Sequence, residues 1–269
     1  MLQTDLCKSR CTVFTKVLHV RDAELVGLNQ SHREPIMPNK PRILIVEDET
    51  AIRSGLMDVF VYHGYDVEAA EDGPAGLERA LSGRFDLILL DIMLPGMDGF
   101  EICNRIRAQD RDQPIIMLTA KTGDEDIIQG LSLGADDYVA KPFSVTELVL
   151  RVQAVLRRAR IGVEGDSWLR LGEAIEIDIR NLSGRCHGKT LTFTRREMEI
   201  LQYLNANTER PVPREELLHR VWGYAKHLDI ETRTVDIHIA KLRRKIEPDP
   251  AQPCRLVTVR GAGYRLLTN

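Results

Sequence analysis

The chain has 269 residues, a length that suits about two domains. Hydrophobic residues make up 43% of it, which is ordinary for a globular protein. No apolar stretch approaches the ~18 residues of a membrane span, and the N-terminus lacks the apolar core of a signal peptide, so we expect a cytoplasmic protein without a membrane partner. The five cysteines are scattered and form no CxxC pair, which argues against a zinc site or a disulfide framework.

Charge divides the chain into two halves. Residues 41–160 hold 13 Lys and Arg against 21 Asp and Glu, whereas residues 161–269 hold 18 against 15 and end in a basic segment. This asymmetry predicts two domains with different partners, and the basic end weakly favours nucleic acid. We predict a disordered extension at 1–40, an α/β domain at 41–159, a linker at 160–167 and a second domain at 168–269. Met37 is a second candidate for the translation start.

Four short apolar runs in the first domain predict buried parallel strands. They are "ILIV" (43–46), "LILL" (87–90), "IIML" (115–118) and "YVA" (138–140), with helix-length amphipathic segments between them. Strands that alternate with helices predict a doubly wound α/β sheet, in which ligands bind outside the carboxyl ends of the strands. A polar residue ends each run. The set that should converge is Glu47, Asp48, Asp91, Thr119 and Lys141.

Three carboxylates in one crevice predict a cation site. Carboxylates forced together repel one another, and Mg²⁺ takes one or two carboxylates, several waters and a phosphate. A lysine and a threonine hydroxyl beside them suit phosphoryl transfer to a carboxylate nucleophile. Asp91 is the best candidate, because it ends a central strand alone before the turn "PGMDG". A single acidic residue at a strand end is usually a solvated loop residue. Five polar residues of suitable types, each at the end of a predicted strand, make that interpretation poor.

The second domain ends in a helix and a hairpin that suit DNA. Short alternating runs with "NLSG" as a separator predict antiparallel strands, and three helical patterns follow. The helix at 232–247 has one apolar face, formed by Val235, Ile239, Leu242 and Ile246. Its other face suits the major groove, and carries Arg233, Thr234, Ile237, Ala240, Lys241 and Arg244. Charged helix faces are usually just solvated. Here, however, a hairpin follows that carries Arg260 in its glycine-bearing turn. A cation on a thin turn suits a narrow minor groove.

Residues 41–159 resemble the receiver domains of two-component response regulators. The motifs "ILIVEDE", "LLDIMLPGMDG", "MLTA" and "GADDYVAKPF" occur in that family's order. The resemblance implies a five-stranded, flavodoxin-like sheet in which Asp91 accepts a phosphoryl group from a sensor histidine kinase. It also implies that Asp48, Asp91 and the main-chain carbonyl of Met93 bind Mg²⁺, with Glu47 assisting through water. Glu47 stands where many relatives have Asp.

The same resemblance implies a switch. Thr119 and Lys141 would contact the phosphoryl group, and Tyr138 would turn inward with Thr119 on activation. The bond between Lys141 and Pro142 would be cis, a state that is rare outside X–Pro bonds.

Residues 168–269 resemble the winged helix-turn-helix effector domain of OmpR/PhoB-type transcription factors. The matching stretches are "LTFTRREMEILQYL", "RTVDIHIAKLRRKIE" and "TVRGAGYRL". The resemblance implies a recognition helix at 232–247, a wing around Arg260, and contacts of Thr258 and Tyr264 with the DNA backbone. The loop at 222–231 would contact RNA polymerase. Ala240 departs from the family, in which a basic residue is common.

The resemblance further implies a homodimer that forms on phosphorylation through reciprocal salt bridges. The matching residues are Asp136, Asp137, Glu147 and Arg151, and Ile127 replaces the basic partner expected for Glu147. We therefore predict a phosphorylation-switched transcription factor. One alternative is a phosphatase of the haloacid-dehalogenase type, which would need an Asp where Met93 stands. Another is a scaffold receiver without DNA binding, which the predicted recognition helix and wing oppose.

Overall fold

The computed structural model of the chain describes residues 40–120, 130–159, 168–186, 188–224 and 233–268. The predicted linker, nearly all of the predicted N-terminal extension and most of the predicted polymerase-contacting loop lie outside the described residues, as does Ile127. Residues Lys40–Asn269 form one compact unit.

A five-stranded parallel sheet forms the first half of this unit. Its strands are β1 (Arg42–Val46), β2 (Asp66–Ala70), β3 (Leu87–Asp91), β4 (Ile115–Thr119) and β5 (Asp137–Ala140), in the order β2-β1-β3-β4-β5. This is the strand order of a flavodoxin-like doubly wound sheet, as predicted. The apolar runs located four of the strands. The edge strand β2 has a single buried residue and so lacks such a run.

Helices cover both faces of the sheet. They are α1 (Thr50–Tyr62), α2 (Gly73–Ala80), α3 (Gly99–Gln109) and α4 (Val145–Ala159), and residues 130–133 are also helical. Helices α1 and α4 share one apolar cluster with the sheet, and α2 and α3 share the other. The side chains of Asp72 and Asp98 cap α2 and α3, each accepting a 2.8 Å hydrogen bond from a main-chain N–H.

A four-stranded antiparallel sheet opens the second half. Its strands, in spatial order, are β6 (Trp168–Leu171), β7 (Ile175–Asp178), β8 (Ser183–Cys186) and β9 (Lys189–Thr192). The prediction of "NLSG" as a separator was partly wrong, because Ser183 and Gly184 belong to β8. Glycine suits this strand position because a Cβ there would lie 2.8 Å from the carbonyl oxygen of Glu176.

Three helices and a hairpin complete the second half. They are α5 (Arg195–Asn205), α6 (Arg214–Leu217) with a π-helical turn after it (Leu218–Trp222), α7 (Arg233–Ile246), and the strands β10 (Leu256–Val259) and β11 (Gly263–Leu266). The predicted apolar face of α7 is confirmed, since all four of its residues are at most 1% exposed and pack in one core with these elements. The predicted winged helix-turn-helix class is confirmed.

The hairpin is held against the chain that leads into α6. Gly263 opens β11 with φ +117°, and a Cβ there would lie 2.0 Å from the carbonyl oxygen of Val212. Val212 and Tyr264 exchange two main-chain hydrogen bonds of 2.7 and 2.9 Å. Only glycine permits both this backbone conformation and this close approach.

Candidate functional site

Three carboxylates meet at the carboxyl ends of β1 and β3. One oxygen from each of Glu47, Asp48 and Asp91 lies within 4.8 Å of the others. Glu47 and Asp91 are buried and Asp48 is exposed, so the cluster opens to solvent on one side. An all-oxygen donor set with an open side fits a Mg²⁺ ion that keeps several of its waters.

Lys141 brings a cation into the centre of this cluster. Its Nζ donates hydrogen bonds to both carboxylate oxygens of Glu47, at 2.9 and 2.7 Å, and to Asp91 Oδ2 at 2.7 Å. The peptide bond between Lys141 and Pro142 is cis, as predicted. The predicted convergence of these side chains is present in the fold.

The protonation of these groups follows from their surroundings. Burial and the nearby charge of Asp91 raise the pKa of Glu47, although the hydrogen bond from Lys141 opposes the shift. Burial would lower the pKa of Lys141, but its hydrogen bonds with Asp91 and Glu47 outweigh burial and raise it. Lys141 therefore stays positively charged at neutral pH.

The remaining predicted receiver residues lie on β4, on β5 and in the turn after β3. Thr119 is buried at the end of β4, and its carbonyl oxygen accepts a 2.6 Å hydrogen bond from the Lys141 main-chain N–H. Met93 is 56% exposed, and its main-chain N–H donates to Asp91 Oδ1 at 3.1 Å. Tyr138 lies half-buried on β5 against the apolar cluster of α2 and α3.

The receiver covers part of the predicted DNA-reading face of α7, while Ala240 and Arg244 on that face are exposed. Thr234 and Ile237 are buried, and Ile237 belongs to the same apolar cluster as Phe100 and Leu131. Lys241 is mostly buried, with its Nζ 3.5 Å from the carbonyl oxygen of Leu131. The sequence suggested an open face. It is covered because Ile237 adds apolar surface that the receiver's own core can bury.

The other predicted DNA contacts differ in exposure. Arg244, Thr258 and Arg260 are exposed, and Arg233 is half-buried. Tyr264 is only 4% exposed. Its hydroxyl donates to Asp236 Oδ1 at 2.5 Å and accepts from Arg214 at 3.0 Å, so in this structure Tyr264 ties the hairpin to α7.

The residues predicted to pair across a dimer are paired within one chain here. Asp136 Oδ2 lies 3.0 Å from Arg107, and Asp137 Oδ2 lies 2.6 Å from Arg151. Arg151 also contacts Glu147 at 2.6 Å, one helical turn earlier on α4. Arg107 on α3 and Arg151 on α4 both reach the start of β5, so these charges can neutralise one another without a second chain.

The last residue of the π-helical turn, Trp222, and Tyr224 just after it dock onto this charged set. The sequence did not predict this contact. Trp222 Nε1 donates to the carbonyl oxygen of Asp136 at 3.0 Å, and the Tyr224 hydroxyl donates to the carboxylate of Asp137. The guanidinium of Arg151 lies 5.0 Å from the centre of the Tyr224 ring. Burial and the charge of Asp137 raise the pKa of Tyr224 well above its usual value.

His238 was also missed, although its spacing gave a signal. It lies four residues after Thr234 and three before Lys241, so helical spacing places it beside the predicted DNA-reading face of α7. The imidazole is fully buried, 5.3 Å from the Trp222 ring in an edge-to-face arrangement. Neither ring nitrogen makes a hydrogen bond of normal geometry to the described residues.

Every helix in the described part of the chain is too short or too polar to cross a lipid bilayer.

Known proteins share both halves of this architecture. Residues 43–153 match the family described as response regulator receiver domain, and residues 188–266 match the family described as transcriptional regulatory protein, C terminal. The sensory transduction protein RegX3 of Mycobacterium tuberculosis is 42% identical over 228 residues, which cover 83% of this chain and 98% of RegX3. The DNA-binding response regulator MtrA of Mycolicibacterium smegmatis is 41% identical over 226 residues, 84% of this chain and 96% of MtrA.

A solved mutant of RitR has a similar fold. It is 28% identical with a TM-score of 0.64, and the match covers 85% of this chain and 100% of that one. RegX3 is named a sensory transduction protein and MtrA a DNA-binding response regulator, and with the two family matches these names decide against the phosphatase alternative. The chain therefore belongs to the response regulators of the OmpR/PhoB type, transcription regulators of two-component systems that join a receiver domain to a winged-helix DNA-binding domain.

Proposed function

We propose that Asp91 accepts the phosphoryl group from a phosphorylated histidine of a sensor histidine kinase. The observation that supports this is the position of Asp91 Oδ2, 2.7 Å from Lys141 Nζ and beside Glu47 and Asp48. A carboxylate oxygen attacks phosphorus, and a P–O bond forms as the P–N bond to imidazole breaks. The imidazole leaves with the electron pair. Lys141 stabilises the negative charge on the phosphoryl oxygens.

Mg²⁺ completes this site in our proposal. Asp48, Asp91 and the main-chain carbonyl of Met93 would hold the ion, with Glu47 assisting through water. When bound, Mg²⁺ neutralises charge on the incoming phosphoryl oxygens. The open, oxygen-rich side of the cluster at Asp48 supports this assignment.

Substitution of the acceptor tests the assignment. We expect Asp91→Asn to abolish labelling by acetyl phosphate and Mg²⁺, because an amide oxygen is a poor nucleophile. Phosphate-affinity electrophoresis or intact mass measures the label. The matched control is Asp66→Asn, the same change in an exposed edge-strand residue. Label that persists on another residue of the Asp91 variant contradicts the proposal.

The effector half binds double-stranded DNA in our proposal. The residues proposed to contact the major groove lie on the predicted DNA-reading face of α7, part of which is buried in this structure, and are Arg233, Thr234, Ile237, Lys241 and Arg244. Arg260 on the exposed hairpin turn would enter the minor groove, and Thr258 would contact the backbone. Tyr264 would act through the hairpin's position, since its hydroxyl is held by Asp236.

Phosphorylation would release α7 from the receiver. A phosphoryl group at Asp91 draws in Thr119 and Tyr138, and Tyr138 lies on β5 next to Asp137, which holds Tyr224. The freed face at Asp136, Asp137, Glu147 and Arg151 would then pair with a second chain, with Ile127 adding apolar contact. The loop at 222–231 would contact RNA polymerase. Such a regulator acts in the cytoplasm.

A further inference from the structure

Arg53, near the start of α1, holds the segment that carries two of the three carboxylates. Its Nη1 donates hydrogen bonds to the main-chain carbonyl oxygens of Glu47 and Asp48, both at 2.8 Å. Its Nη2 lies 3.3 Å from Thr50 Oγ1 and 3.5 Å from Glu71 Oε2. One guanidinium therefore bridges the end of β1, the start of α1 and the residue that follows β2.

The segment leads into α1 without the side-chain N-cap that begins α2 and α3. Glu49 is the N-cap residue of α1, and its side chain makes no capping hydrogen bond. By contrast, α2 and α3 begin with capping aspartates. Asp48 is exposed, so its end of the segment is less enclosed by the protein than the buried Glu47. The Arg53 side chain is only 14% exposed, and the fold fixes its position.

We propose that Arg53 is a positioning residue for the Mg²⁺-dependent phosphorylation of Asp91. It holds the Glu47–Asp48 segment so that both carboxylates face Asp91 before the ion binds, and a site ordered in advance does not lose that ordering entropy on binding. Outer groups that orient metal ligands typically change metal affinity about 10–100-fold when they are removed. The inference rests on the proposed Mg²⁺ site.

The positive charge of Arg53 affects Mg²⁺ affinity in the opposite direction to its hydrogen bonds. A guanidinium close to a cation site repels Mg²⁺, so loss of the charge alone would tighten Mg²⁺ binding. Loss of the two carbonyl hydrogen bonds would weaken it, because the carboxylates would then be ordered only when the ion binds. The sign of the change in affinity therefore identifies which property of Arg53 matters.

Calorimetric titration of the full chain with Mg²⁺ measures that sign. We expect Arg53→Met to weaken Mg²⁺ affinity about tenfold. Arg53→Lys keeps the charge but not the planar fork, and should recover only part of the loss. Arg105→Met is the matched control and should bind Mg²⁺ like the wild type, because Arg105 is half exposed on α3 and pairs with Glu101.

A second readout separates positioning from general damage to the fold. The rate of acetyl phosphate labelling should fall at limiting Mg²⁺ and return to within about twofold of wild type at saturating Mg²⁺, as expected when only binding is affected. A damaged fold would lower the rate at every Mg²⁺ concentration. If Arg53→Met does not fold, the Lys variant decides the question by the same two measurements.

Two outcomes overturn different claims. If the Met and Lys variants bind Mg²⁺ as tightly as the wild type or more tightly, the inference about Arg53 is wrong and the metal site stands. If the wild type binds no Mg²⁺, or Asp48→Asn leaves its affinity unchanged, the proposed metal site itself is wrong.

Discussion

Lys141 and Glu47 show how single residues make the acidic crevice stable. Glu47 is fully buried, and a buried carboxylate without a partner is strongly destabilising. Both of its oxygens instead contact Lys141 Nζ. The glutamate side chain is one methylene longer than an aspartate would be. The same lysine reaches Asp91, so one cation balances two buried charges.

His238 gives a prediction about pH at the same scale. Burial holds the pKa of this imidazole well below its usual value; the positive charges of Lys241, Arg196 and Lys245 add to the shift, and the Asp136 main chain opposes it. The pKa of His238 is therefore lower in the folded protein than in the unfolded chain. Neutral His238 makes its full contribution to the unfolding free energy above about pH 6.5, and this contribution is lost as the pH falls below that value.

We expect His238→Leu to reduce the acid sensitivity of the fold. For each pH unit below about 6.5, the wild type should lose about 1.4 kcal/mol more unfolding free energy than the variant, until the folded pKa is reached. Urea unfolding at a series of pH values measures this. His63→Leu, on the exposed end of α1, is the matched control and should retain the wild-type slope. Parallel slopes for wild type and His238→Leu would show that His238 does not titrate with unfolding.

A buried carboxylate on α5 holds helix α7 in place. Glu197 is fully buried on α5, with Lys245 at 2.5 Å and Lys241 at 3.3 Å. Burial would raise the pKa of Glu197, but the two lysines lower it further than burial raises it. This pair of contacts allows a basic helix to pack closely on α5.

The hairpin gives a prediction at the scale of elements. Gly263→Ala should lower the unfolding free energy by about 3 kcal/mol, because the new Cβ would lie 2.0 Å from the Val212 carbonyl oxygen at a strained backbone conformation. The hairpin should shift and DNA binding should weaken. Gly261→Ala separates the two causes, since Gly261 also has positive φ but open space around it, and should cost about 1 kcal/mol. Chemical unfolding and DNA titration measure both variants. Equal losses would mean that the close approach to Val212 is unimportant.

In the whole molecule, contacts between the two halves cover parts of both predicted interaction surfaces. Ile237 and Lys241 of the predicted DNA-reading face of α7 pack on the receiver, and the predicted dimer residues Asp137 and Arg151 contact Tyr224. Arg195 on α5 adds an ion pair with Asp112 at 2.5 Å. While these contacts persist, DNA cannot reach the buried Thr234 and Ile237, and a second receiver cannot reach the buried Asp137. The closed chain and the proposed DNA-bound dimer therefore compete.

Tyr224→Phe tests this competition. It removes the hydroxyl that donates to the buried Asp137 carboxylate, and a hydrogen bond to a charged group stabilises by about 1.5–3 kcal/mol. We expect the unphosphorylated variant to bind DNA about tenfold more tightly than the unphosphorylated wild type, a change of about 1.4 kcal/mol. The phosphorylated forms should bind alike. Fluorescence anisotropy on a site selected with phosphorylated wild type measures this.

The control is Tyr62→Phe, the same change on the exposed end of α1. It should leave both affinities unchanged. If Tyr224→Phe also leaves the affinity of the unphosphorylated chain unchanged, the Tyr224 contact does not restrain DNA binding.

Short-range patterns in the sequence determined the positions of four strands, the acidic crevice and the buried face of α7. The apolar runs that end in Glu47, Asp91, Thr119 and Lys141 placed four strands and one crevice, because parallel strands present their carboxyl ends at one edge of a sheet. The spacing of apolar residues in α7 located its buried face, because side chains three and four residues apart share one side of a helix. These features follow from a few neighbouring residues.

Only the tertiary structure decided the contacts between distant segments. Arg53 reaches back to the carbonyls of Glu47 and Asp48, and Tyr224 reaches Asp137 on β5. No period or motif in the sequence encodes these pairs, since each depends on how whole elements pack. The burial of Ile237 was decided in the same way. An apolar residue on a basic helix face can contact a thymine methyl or pack in the receiver core. In this structure the packing of the two halves buries Ile237 in the receiver core.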